Sequence, residues 1–374
     1  MRRLGLVLVL VAGCSERVEL LPTLDLGGAG DGGVTLPTAT GPACAAGVAA
    51  GLHRYAACTC TPFSSTRMLQ TLVFDSTGAA TSHSGAAWGT SGNFIADKPV
   101  ALEGALVAAG IVQLGDGLTT TETVHAAAGL SSTNATHVSG DAFSGGHVSG
   151  AVTVAGSLHV PSSAAVGSSV SAGAIVREPV TVADPCDCAG AAAVDVAGAI
   201  AAAAAHNDDA AAGLDPGTLA ASASLPAGTF YVAAIATDAD VTLAVHGKAA
   251  LAVAGDVTWK GAFTVALDAG AELDLFVGGA LATQSNRTFG STAAPARVRV
   301  WTNSAATLVL DGTPTVGALV TAPNATVDAP GGVTLYGSLL AQSFTTENDA
   351  IIHWDQAILA LPAACGAAPL SPVR

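Results

Sequence analysis

Charged and aromatic side chains are both scarce in this chain. Only 11% of its 374 residues are charged and 4% are aromatic, where an ordinary soluble domain carries about 25% charged residues. That shortage argues against an enzyme with the usual charged surface. Basic residues are scarcer still, 13 Lys and Arg against 28 Asp and Glu for a net charge of −15. With no basic cluster, nucleic acid is excluded as a partner, because such binding rests on cations that neutralise phosphates. Long apolar runs are missing as well. The N-terminal one, residues 4–12, would span about 14 Å as a helix, under half of a ~30 Å hydrocarbon core. Disorder is excluded from the other side, since 50% of the chain is hydrophobic.

What the chain does have is small residues, 44 of them Gly and more than a fifth of the total Ala. It opens with Met1-Arg2-Arg3, the apolar run, and then Val11-Ala12-Gly13-Cys14. A basic start and a short apolar stretch before small residues and a Cys predict a bacterial lipoprotein signal over residues 1–13, with Cys14 lipidated. A conventional signal peptide that happens to contain a Cys is the alternative. Ser15 resembles the outer-membrane sorting signal. Residues 14–42, rich in Gly, Thr and Pro without periodicity, predict a flexible tether. The implied address is the bacterial cell envelope, with the membrane as a partner through a lipid anchor.

Setting Cys14 aside leaves six cysteines: Cys44, Cys58, Cys60, Cys186, Cys188 and Cys365. An even set in an exported protein predicts disulfides. The C-x-C pairs are too tight to close on themselves, which favours bonds to distant partners. Four thiolates from the two pairs could instead hold a metal, although structural zinc sites usually use C-x2-C spacing.

Strand-like stretches alternate with Gly, Asn, Asp and Pro turns over most of the body. Val148, Val154, Val160 and Val166 recur every six residues, as do Val152, Leu158, Ala164, Val170, Val176 and Val182. A period of six fits short strands joined by tight corners and not one face of a helix. Near the C-terminus Gly317-Ala318-Leu319-Val320 returns as Gly337-Ser338-Leu339-Leu340, predicting a coil of twenty residues. The fold expected is all-β, a right-handed parallel β-helix, with one short Ala-rich helix capped by Asp195 and stopped by Asp215-Pro216-Gly217. The divisions expected are a β-rich solenoid region at 43–190, a helical connection at 191–225, a β-helix domain at 226–360 and a tail at 361–374.

Between Asp195 and Leu359 several phrases occur in order: His206-Asn207-Asp208, Glu272-Leu273-Asp274-Leu275-Phe276-Val277-Gly278-Gly279, Val316-Gly317-Ala318-Leu319-Val320, Tyr336-Gly337-Ser338-Leu339 and His353-Trp354-Asp355-Gln356. In this order the segment resembles an uncharacterised bacterial envelope β-helix domain family found in myxobacterial lipoproteins and pilus-assembly-associated proteins. The resemblance implies a β-helix and an envelope location. In it His353, Trp354 and Asp355 form the closing phrase, expected to be a structural lock. Envelope polysaccharide and surface-appendage proteins are the partners it suggests.

No constellation for catalysis stands out. Asp238 and Asp240, Asp274, Asp208 and Asp209, and the His353/Asp355 pair are the acids a polysaccharide hydrolase or lyase could use, and turn or surface roles explain them as well. Trp88, Trp259, Trp301 and Tyr336 would be sugar platforms if exposed. The leading expectation is a non-enzymatic, lipid-anchored scaffold or adhesin-like module without catalytic residues, metal or cofactor. A polysaccharide hydrolase or lyase and an assembly factor for pilus-like appendages are the alternatives.

Overall fold

The computed structural model describes residues 33–81, 83–362 and 365; Cys14 and the signal segment lie outside them. The chain is a parallel β-solenoid of about 13 turns with few helices. Each turn lays down three short strands, one on each of three faces. In the N-terminal half Leu106, Val124 and Ala142 stack at steps of 18 on one face, and Val112, Leu130 and Val148 on another. The sixfold period is therefore one face of an 18-residue coil. Small residues let coils close this tightly. Gly150 has φ of 86°, and a Cβ there would collide with the Ser132 carbonyl.

In the C-terminal half the coils are longer, Leu251, Leu275 and Val300 standing 24 and 25 residues apart. The expected twenty-residue repeat is out by one. Leu319 pairs with Ser338 and Val320 with Leu339, a step of 19. A slip of one residue exchanges the faces of a strand, so Leu339 joins Val320 inside while Leu319 points outward. Leu319 is buried nonetheless, because its strand Thr315–Ala329 lies beneath the helix Cys188–Ala192.

The two halves are one solenoid, stacked in the reverse of chain order. The strand Val333–Thr346 pairs with Ala57–Thr59, Leu339 opposite Ala57, and Ala350–Asp355 pairs with Leu69–Phe74. One inward column runs from Phe230 through Leu251, Leu275, Val300, Val320 and Leu339, crosses to Ala57, and continues through Trp88, Leu106, Val124, Ala142 and Leu158 to Ile175. The regions expected at 43–190 and 226–360 thus share a core. Phe63, Trp88 and Phe94 from above meet Phe344 from below, with ring centroids 4.6 Å (Phe63–Trp88) to 6.2 Å (Phe63–Phe344) apart.

After Arg177 at the upper end the chain returns along the outside. Disulfides Cys58–Cys186 and Cys60–Cys188 pin it to the first upper coil. Helices α1 (Ala45–Leu52), α2 (Cys188–Ala192), α3 (Val196–Ala205) and α4 (Asp209–Ala212) complete the structure. The Ala-rich stretch makes α3, and Asp195 caps it by accepting the Gly198 N–H at 2.8 Å. Helix α3 packs across the lower strands, and α4 follows at the lower end. There Asp208 and Asp209 accept the edge N–H groups of Thr229 and Tyr231, both at 2.9 Å. The last ten residues of the expected tether are folded. Thr35–Leu36 pairs antiparallel with Ala43–Cys44, since Val34 and Leu36 find apolar surface to bury, and Cys44 is bonded to Cys365.

His53 sits at the seam between the halves. Its Nε2 lies 2.9 Å from the Thr321 hydroxyl and its Nδ1 3.0 Å from that of Ser338. Ser338 already donates to the Tyr55 carbonyl at 2.6 Å, so it accepts from Nδ1–H and the ring is neutral. Trp354 donates to the His53 carbonyl at 3.1 Å. Burial pushes the His53 pKa from 6.5 down to about 3. Unfolded chains take up this proton near pH 6.5 and folded ones do not. The linked loss of stability is therefore absent above pH 6.5 and grows as pH falls toward 3, to as much as about 5 kcal/mol. Thermal unfolding of the wild type and of His53→Gln across this range is expected to show the steeper acid decline in the wild type; parallel curves would refute it.

Candidate binding face

The solenoid's three faces differ in what lies over them. One is covered in its lower half by α3, and α2 packs on the strand above. Beneath this layer lies a buried ion cluster. Arg299 donates through Nε and Nη2 to the two oxygens of Asp274, both at 2.7 Å, and through Nη2 to Glu272 at 2.6 Å, while Trp301 Nε1 donates to Asp274 at 2.8 Å. Burial opposes the Arg299 charge, but Asp274 and Glu272 outweigh it and hold the guanidinium protonated above the ordinary arginine range. Asp274, one of the acids singled out from the sequence, is thus wholly engaged.

Further up the same face His125, Phe143 and His159 stack, with centroids 4.6 and 4.4 Å apart, and Glu178 accepts from His159 at 2.6 Å. This ladder was missed in the sequence, although 125 and 143 differ by one coil. The second face carries Tyr336 stacked on His353 at 4.4 Å and 6°.

The third face has one outward row running through both halves. From below it reads Ala236, Thr258, Ala282, Val309, Asp328 and Thr345. Above the seam, where the strand Phe63–Ser65 packs on Val333–Thr346, it resumes with Ser64, Ile95, Gln113, Ser131 and Ser149. Asp328 is the one charged residue in the row, and it accepts from Thr345 at 2.9 Å. At about 4.8 Å per rung the row is about 48 Å long. Charges gather at the corner that follows this strand in each turn. There Lys260 pairs with Asp238 at 2.8 Å and Lys98 with Asp116 at 3.1 Å. Asp238 raises the Lys260 pKa through a hydrogen bond and its charge. A groove of about 500 Å³, lined by Thr258, Lys260, Asp238, Gln284 and Val309, opens along the lower part of the row.

The other candidate acids are also occupied. Asp240 lies in a turn and accepts the Ala262 N–H at 2.8 Å, so it does not converge with Asp238. Asp355 is buried and accepts the N–H groups of Ser76 at 3.0 Å, Ala357 at 3.1 Å and Ala296 at 3.3 Å; it makes no bond to His353. A larger groove of about 1030 Å³ lies beside the paired disulfides. Its Asp184 accepts from Ser91 at 2.6 Å and its Asp187 caps α2. Among the described residues no three His, Cys, Asp or Glu side chains group as metal ligands, and both C-x-C pairs are spent in disulfides. Trp88, Trp259 and Trp301 are buried and offer no sugar platform.

These environments separate the acids by measurement. Asp274→Asn leaves the buried Arg299 with Glu272 alone of its two carboxylates and is expected to cost about 3–5 kcal/mol in urea unfolding. Asp238→Asn, on an exposed pair, is expected to leave the urea midpoint where it is. Equal midpoints for the two variants would contradict the assignment.

Residues 186–361 match a family model described as "Domain of unknown function (DUF7305)". The match opens on Cys186 and takes in the returning helices and the lower half of the solenoid. No curated protein matches the chain. Among solved structures, the chain is similar to an ice-binding protein from the Antarctic ascomycete Antarctomyces psychrotrophicus, at 18% identity and a TM-score of 0.25, over 65% of this chain and 93% of that one. It is also similar to an ice-binding protein from an Antarctic bacterium, Flavobacteriaceae, at 10% identity and a TM-score of 0.19, over 82% and 97% of the two chains.

Proposed function

We propose that the protein is a non-enzymatic rod of the bacterial cell envelope, lipid-anchored through Cys14 at the outer membrane, which binds extended polysaccharide along its third face. One observation carries this reading: a single outward row, uncharged but for Asp328, runs from Ala236 to Thr345 and resumes from Ser64 to Ser149 where the two halves pack together. A catalytic site converges reactive groups on one spot. This surface repeats weak hydrogen-bonding groups at a fixed interval, which suits a ligand that is itself a repeat. Hydroxyls at Ser64, Ser131 and Ser149 can donate and accept and those of Thr258 and Thr345, which donate to the Ile235 carbonyl and Asp328, can accept, and Ala and Val between them give flat apolar contact for sugar rings.

The test is a pull-down on insoluble and immobilised polysaccharides with the wild type and with Thr258→Arg and Ser131→Arg. Each variant is expected to weaken binding by tenfold or more with unchanged thermal midpoint. Cys14→Ser is expected to move the protein from the membrane fraction to the soluble one. Turnover of any polysaccharide that Asp238→Asn abolishes would end the non-enzymatic reading.

A further inference from the structure

The two ends of the solenoid are finished differently. At the lower end Asp208 and Asp209 take up edge N–H groups and α4 follows beside the first strands. At the upper end the last strand, Ser171–Arg177, pairs with Val148–Val160 on one side. Among the described residues no strand pairs with its other side. Inside that last coil Ile175 tops the inward column and is 48% exposed, beside half-buried Val166, Val170 and Ala172. An open strand edge around an exposed apolar cross-section is what a solenoid shows when its next coil is missing.

We propose that a second copy of this chain covers the upper end, the two rods meeting tip to tip about a two-fold axis with their Ser171–Arg177 strands paired antiparallel. The charge pattern selects this occupant. A chain of net charge −15 repels its own copies over most of its surface, yet residues 161–176 contain no charged side chain. Arg177 is tied to the carbonyls of Pro161 and Ala164, and Glu178 to His159. Full overlap of the seven-residue strand places Ala174 on the axis and Arg177 opposite Ser171 of the second copy, so no like charges meet. Because the lower end is closed, stacking stops at two, and the contact is isologous and not filament-forming.

Sedimentation velocity of the full chain carrying Cys14→Ser, from micromolar to hundred-micromolar concentration, tests this. A concentration-dependent dimer is expected, abolished by Ile175→Lys with the thermal midpoint unchanged. A second variant, Ala174→Cys, is expected to form an interchain disulfide under mild oxidation. A monomer at every concentration, or a dimer indifferent to Ile175→Lys, overturns the proposal. A dimer in which Ala174→Cys does not cross-link overturns the two-fold pairing.

Discussion

The junction of Val333–Thr346 with Ala57–Thr59 is the contact on which the rest depends. A single coil buries too few small aliphatic side chains to offset the entropy of ordering it, so a solenoid exists only through the contacts between coils. Here the coil that supports the first upper strand is supplied from 282 positions further along the sequence, Leu339 under Ala57. Neither half ends in a cap of its own at this junction; each is the other's cap. Closing so long a loop carries an entropic cost, and the covalent bonds sit where they reduce it. Cys44–Cys365 spans 321 residues, and the two parallel bridges span 128 each. On the chain-entropy account a loop of about 100 residues gains about 4.7 kcal/mol from such a bond.

The reversed stacking also explains where buried polar groups are found. The interior is filled with aliphatic and aromatic side chains together with Thr and Ser, and the large polar groups lie outside it, under the returning chain. His53 and its partners occupy the seam, and Arg299, Asp274 and Trp301 lie under the covering layer. A lone Arg or Asp there would be very costly. Satisfied on several sides, these groups instead fix one docking geometry for segments that contribute few backbone hydrogen bonds of their own.

This division of labour marks what was legible in the sequence. The sixfold recurrence from Val148 exposed the upper coils, because every position in an 18-residue turn repeats the same steric demand. The Ala run and Asp195 exposed α3 by local chemistry alone. The longer lower coils vary in length, so the shift of 20 between two similar phrases came within one residue of the true register and still set Leu319 level with Leu339, which faces the other way. The pairing of Asp274 with Arg299 rests on another step, of 25 residues, which no repeat in the sequence marks. The stacking order itself leaves no trace in periodicity, since both halves repeat equally well in either order. Val34 and Leu36 were hidden among Gly and Thr, whose composition indicated a tether although the alternation of two apolar residues already allowed a strand.

On the proposed reading, a face with a single charge, Asp328, binds differently from a densely charged one. Counterion release cannot drive association on the row from Ala236 to Ser149, and no single hydroxyl there is worth more than a hydrogen bond exchanged with water, about 1 kcal/mol net. Useful affinity must come from many such contacts made together, with the second and later ones benefiting from the first. That requires the spacing to be held along the whole row, including across the seam. The ion pairs at the corner, Lys260 with Asp238 and Lys98 with Asp116, keep charge at the margin without entering the row. If the row binds as proposed, rigidity at the junction of the halves is therefore a condition of binding as much as of folding. A loosened seam would divide one long array into two short ones, each too weak to hold a chain-like ligand.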